Sequence, residues 1–105
     1  MKTILAVLEV FKGDFPKYAP TGLTYFTREN ELHLSLENGT RILLILDDSL
    51  EKQLLGLKFS VDRTPGLLSS GEYTYVDARV VTKIFSCKDK TLCTKNLTKI
   101  YGPLE

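Results

Sequence analysis

A chain of 105 residues holds one domain, with room for a real core and none for a second. Fourteen basic residues against thirteen acidic ones leave a net charge of +1, so the chain as a whole lacks the basic excess that nucleic acid or an anionic membrane requires. The apolar share of 43% excludes a disordered chain, because that much hydrophobic surface finds its own cover.

The opening run Met1 to Leu8 has one Lys ahead of an apolar stretch, as a signal peptide does. Glu9 interrupts it, and no small-x-small cleavage site follows. No segment reaches the ~20 apolar residues that span a bilayer. Ile4, Leu5, Val7, Leu8 and Phe11 recur at helical spacing, which predicts an amphipathic helix over 2–12 ended by Gly13. Residues 14–20 contain Pro16 and Pro20 and read as an irregular connector anchored by Phe15 and Tyr18.

Residues 21–28, with Leu23, Tyr25 and Phe26, read as a strand, and 31–46 as a hairpin. Glu31 to Leu36 alternates strictly, and Asn38-Gly39 is the dipeptide that a two-residue type I′ turn takes. That turn would set Leu34 opposite Leu43 and Leu32 opposite Ile45. His33 falls on the polar side of the alternation and reads as a partly exposed sheet residue, since no motif supplies the nucleophile or carboxylate that catalysis needs. Residues 40–46 are apolar on both faces, as in a central strand covered on both sides. Asn38-Gly39-Thr40 and Asn96-Leu97-Thr98 match the glycosylation sequon, the first explained by its turn and the second no more than chance supplies.

Asp47-Asp48-Ser49 ends the hairpin and starts a helix over 49–61, whose Leu50, Leu54, Leu57 and Val61 share a face. After a loop with Pro65-Gly66 come strands within 71–87, one over 71–80 and one over 83–87. Thr74, Val76, Ala78 and Val80 point one way, and Tyr73, Tyr75, Asp77 and Arg79 the other. Asp77 and Arg79 admit two readings: a base or ligand beside an anion clamp, or an ion pair tying neighbouring elements together. The second is preferred because no further acid-base group stands near them in the sequence. Residues 88–105 read as a polar tail, and Leu104-Glu105 as the scar of an expression-vector junction on an excised domain. The predicted fold is α+β, a mostly antiparallel sheet of about five strands packed against an N-terminal and a central helix.

Cys87 and Cys93 are not at CxxC spacing, and with one distant His they make a poor metal site. A hairpin with both thiols facing across it would bring them within bonding range, giving a disulfide in an oxidising compartment and inert thiols in a reducing one. A phosphate loop, a nucleophile elbow and paired catalytic acids are all lacking. The chain reads as non-enzymatic, without cofactor or small-molecule substrate.

Glu31 to Ile42, then Leu50-Glu51-Lys52-Gln53-Leu54, then Tyr75-Val76-Asp77-Ala78-Arg79-Val80 carry a resemblance. Over residues 4 to 87 the chain resembles the C-terminal β domain of the bacterial cell-division protein FtsQ, called DivIB in Gram-positive bacteria. The cysteines and the segment after Cys87 are not part of that family's pattern, and Val81-Thr82 stand where it often has Asp, Asn or Gly. The resemblance implies a non-enzymatic scaffold on the extracytoplasmic face of the cell membrane, anchored by one upstream helix and preceded by a POTRA domain. It implies FtsB-like and FtsL-like partners, with the FtsB-like one added as a strand at Val80, Val81, Thr82, Lys83, Ile84 and Phe85. Tyr75, Asp77, Arg79, Asn38 and Gly39 are read as structural, the acid and Arg as an ion pair and Asn38-Gly39 as the turn. The rival reading is a glycan-binding or small-ligand domain of a secreted protein, using the tyrosine face.

Overall fold

The computed structural model describes residues 4–81 and 83–102, apart from the side chain of Leu5. Expectations that fall on residues 2–3, Thr82 and 103–105 lie outside the described residues. The elements are α1 (Ile4–Asp14), β1 (Pro20–Phe26), β2 (Glu31–Leu36), β3 (Arg41–Ile45), α2 (Leu50–Arg63), β4 (Tyr75–Asp77), β5 (Phe85–Cys87) and α3 (Lys90–Tyr101). The strands form one sheet in the order β1-β2-β3-β4-β5, antiparallel throughout except between β3 and β4. That parallel pair needs a crossover, which α2 supplies. The fold is α+β.

One face of the sheet is a leucine core. Leu32, Leu34 and Leu36 of β2 join Ile42 and Leu44 of β3 and Val76 of β4, and α1 closes over them with Val7 and Phe11, α2 with Leu50, Leu54 and Leu57. The Phe11 and Phe15 rings meet at 4.8 Å and carry the packing from α1 into the connector. β4 pairs only with Arg41 to Leu43, so Ile45 at the end of β3 lacks a strand on that side. Buried Gln53 of α2 takes its place, donating to the Ile45 carbonyl at 3.0 Å and accepting its N–H at 2.8 Å. A helix side chain thus completes the sheet's hydrogen bonding and fixes α2 in register with it.

The hairpin forms, but not with the expected turn. Gly39 N–H donates to the Leu36 carbonyl at 3.0 Å, and Leu36 N–H to the Thr40 carbonyl at 2.9 Å, so three residues turn the chain. Only Gly39 of the Asn38-Gly39 pair has positive φ, at 93°, as in a type I turn followed by a left-handed residue. Asn38 stabilises the turn by accepting from Thr40 N–H and ties it to the next loop by donating to the Leu68 carbonyl. The register therefore shifts by one: Leu34 pairs with Ile42 and Leu32 with Leu44. Leu43 moves to the second face, beside His33.

Three further expectations are corrected. The strand expected over 71–80 is only Tyr75–Asp77, because Asp77 Oδ1 accepts from Arg79 N–H at 3.0 Å and turns the chain out of the ladder. Tyr73, ahead of the strand, packs against the leucine core instead of joining Tyr75 on the opposite face. The polar tail contains α3, capped by Asp89, whose carboxylate accepts from Leu92 N–H at 3.0 Å.

Candidate functional site

Helix α3 lies across the second face of the sheet. Its twelve residues make it about 18 Å long, close to the four inter-strand steps of a five-stranded sheet, about 19 Å. Cys93 in its first turn is bonded to Cys87 at the end of β5, with 5.9 Å between the Cα atoms. The connection is strand–turn–helix rather than the hairpin expected. Tyr101 in its last turn stacks near Phe26 of β1, ring centroids 4.8 Å apart. Cys93, Leu97 and Tyr101 recur every four residues, so one stripe of the helix faces the sheet.

Beneath Tyr101 lies a cluster of charges. Arg79 grips Asp77 with a fork, Nε to Oδ1 at 2.8 Å and Nη2 to Oδ2 at 2.6 Å. Its third nitrogen donates to Glu31 Oε2 at 2.8 Å and to the Tyr101 hydroxyl at 2.7 Å. That hydroxyl in turn donates to Glu31 Oε1 at 2.6 Å. Hydrogen bonding to Asp77 holds the Arg79 pKa above its ordinary value. Burial, and then the bond to Glu31, raise that of Tyr101.

His33 completes the group and is fully buried, contrary to the partly exposed position expected of it. Both faces of β2 are covered, so the polar side of its alternation faces α3 instead of water. Arg41 Nη1 lies 3.3 Å from Nδ1 and can only donate, which leaves the ring proton on Nε2, 3.3 Å from Glu31 Oε1. The Phe26 and Tyr101 rings pack on the imidazole, each centroid at 4.6 Å. Burial pushes the His33 pKa down to about 4 despite the hydrogen bond its Nε2–H donates to Glu31, with the Arg41 charge helping to lower it. With His33 neutral, two carboxylates and two guanidinium groups balance.

This arrangement is a closed clasp. Both nitrogens of His33 are engaged, and Arg79 already holds two carboxylates. Among the described residues, no buried side-chain nitrogen or oxygen lacks a partner, and no three metal-binding side chains converge. The clasp joins β2, β4, the turn after β4 and α3, which are remote in sequence. Sequence reasoning paired Asp77 with Arg79 but missed Glu31, His33, Arg41 and Tyr101. The available signal was the Cys93, Leu97, Tyr101 spacing, which marks a helix facing the sheet's polar side.

The expected partner-binding strand is not one strand. Val80 and Val81 are exposed in a turn, with Lys83 N–H donating to the Val80 carbonyl at 3.0 Å. Ile84 packs back against the leucine core, and only Phe85 belongs to β5. Thr82 is outside the described residues. The turn lies over α2, where the Val81 carbonyl and Ile84 Cδ1 stand 3.7 and 3.8 Å from the point a Cβ on Gly56 would occupy. Nor do the tyrosines share an open face, since Tyr73 is packed and has Lys88 Nζ 5.1 Å from its ring centroid.

What is left open is the sheet's two edges. β1 is longer and its middle residues are exposed, while β5 is a three-residue strand whose Phe85 is 49% exposed. Among the described residues neither has a strand on its outer side. The chain matches no family model, no curated protein and no solved structure.

Proposed function

We propose that this domain is a non-enzymatic, extracytoplasmic scaffold of the FtsQ/DivIB type. In this reading it receives a strand from an FtsB-like partner on the outer edge of β5, with an FtsL-like protein in the same assembly, during septum formation. The observation that carries the reading is the position of β5: it is the strand directly after the Asp77–Arg79 motif, and it ends the sheet. An edge strand offers unpaired N–H and C=O groups, the requirement for β-augmentation. The rest of the polar face serves that edge. The clasp anchors β4 on one side of β5, and the disulfide anchors its last residue to α3. A rigid edge loses little entropy when a strand docks on it.

The disulfide supports the compartment, since such bonds persist in oxidising spaces outside the cytoplasm. Among the described residues no helix is long and apolar enough to cross a membrane, so an anchor would lie elsewhere in the protein.

Proline substitution tests the reading. Alternate residues of an edge strand aim their N–H groups outward, so of Phe85→Pro and Ser86→Pro one removes an outward donor. Titration calorimetry with the FtsB-like protein of the same organism is expected to show binding abolished in that variant, with thermal unfolding little changed. Full affinity in both variants would place the interface elsewhere.

A further inference from the structure

The net charge of +1 conceals an asymmetry. Residues 83–102 carry Lys83, Lys88, Lys90, Lys95 and Lys99 against one acid, a net of +4, whereas residues 1–82 hold nine basic and eleven acidic residues, a net of −2. The one acid, Asp89, is committed to capping α3. All five lysines are exposed, and none is within ion-pair distance of a described carboxylate. The other edge differs: no residue of β1 is charged.

We infer that the segment captured at β5 is acidic, an extended stretch whose carboxylates meet Lys83 at one end of the strand and Lys88 and Lys90 at the other. This rests on the strand-addition reading and names the partner's chemistry. Lys83 and Lys88 bracket β5 at a separation of five residues, about 17 Å in extended chain, so six or seven partner residues span the distance. Lys95 is an exposed residue of α3, two positions after the disulfide-bonded Cys93, and adds to the positive charge at this end of the helix. Lysine on an edge strand repels copies of the same edge and other basic strands, so these charges select among partners as well as attract them. An anionic bilayer would use the lysines but not the unpaired backbone beside them, and this favours a peptide.

A display library of random peptides of about twelve residues, panned on the intact domain, tests the inference. Controls are a charge-reversed variant, Lys83→Glu with Lys90→Glu and Lys95→Glu, and the two proline variants, each checked for an unchanged thermal transition. The expected result is enrichment of acidic peptides whose affinity falls about tenfold or more between low and high salt. Binding is expected to be lost in the charge-reversed variant and in one proline variant. Neutral or basic peptides that depend on the proline position would overturn the acidic partner and leave strand addition standing. Acidic peptides indifferent to both prolines would overturn strand addition as well. No enrichment, with lysine-dependent sedimentation on phosphatidylglycerol vesicles or without it, would also overturn the inference, and sedimentation would make the strip a membrane contact.

Discussion

The two faces of this sheet are stabilised by different physics. Under α1 and α2 the contacts are leucine, isoleucine, valine and phenylalanine, each contributing through buried area and each replaceable by something of similar volume. Under α3 the contacts are a disulfide and a hydrogen-bonded set of charges that is satisfied only when complete. The apolar face should lose stability in steps. The polar face should fail all at once when one member is removed, because what is left is an unpaired charge away from water.

The largest effect sharpens that contrast. Arg79→Met leaves Asp77 and Glu31 without the guanidinium that bridges them and is expected to cost about 3 to 5 kcal/mol in denaturant unfolding. Adding Asp77→Asn and Glu31→Gln to the same chain should recover part of the loss. If the triple variant is less stable than the single one by the sum of three independent costs, the clasp is a collection of separate contacts. The leucine face gives the reference: Leu34→Ala should add to Leu57→Ala to the extent that the two sites do not touch.

Acid separates the faces next. His33 has its pKa lowered from 6.5 to about 4 by burial, so the unfolded chain binds a proton that the folded chain excludes. Its contribution is fully present above pH 6.5 and is lost as pH falls toward 4, about 3 kcal/mol over the window. The difference between wild type and His33→Gln, followed by unfolding from pH 7 to 4, isolates this from the carboxylates. Parallel curves would mean that His33 is not held neutral. Smaller still is the disulfide: it closes a short loop, and Cys87→Ser with Cys93→Ser should cost about 2 kcal/mol while leaving the leucine core folded.

The apolar face was legible in the sequence because its signals are local. The spacing of Leu50, Leu54 and Leu57 and the alternation of Leu32, Leu34 and Leu36 each depend on one element's own period. Asn38-Gly39 marked the turn but not its type, since Gly39 also suits the left-handed position of a three-residue loop. That one residue decides whether Leu43 faces the leucines or His33, so a small error in turn geometry propagates across the sheet. The polar face was legible only in its Asp77–Arg79 pair and its two cysteines. Its other members come from β2, β3 and α3, up to 70 residues apart, and nothing local links them. Residues 71–80 read as one strand on alternation and β-propensity, which Asp77 overrides by bonding Arg79 N–H.

The two edges of the sheet give the sharpest test of function. β1 is long and uncharged; β5 is short, clasped on one side and bracketed by lysines. Amide hydrogen exchange on the domain with and without its FtsB-like partner reads both at once. Strand addition at β5 predicts that the outward amides among Phe85, Ser86 and Cys87 become protected while those of Leu23 to Phe26 exchange at their free rate. Protection at β1, with β5 unchanged, would contradict it.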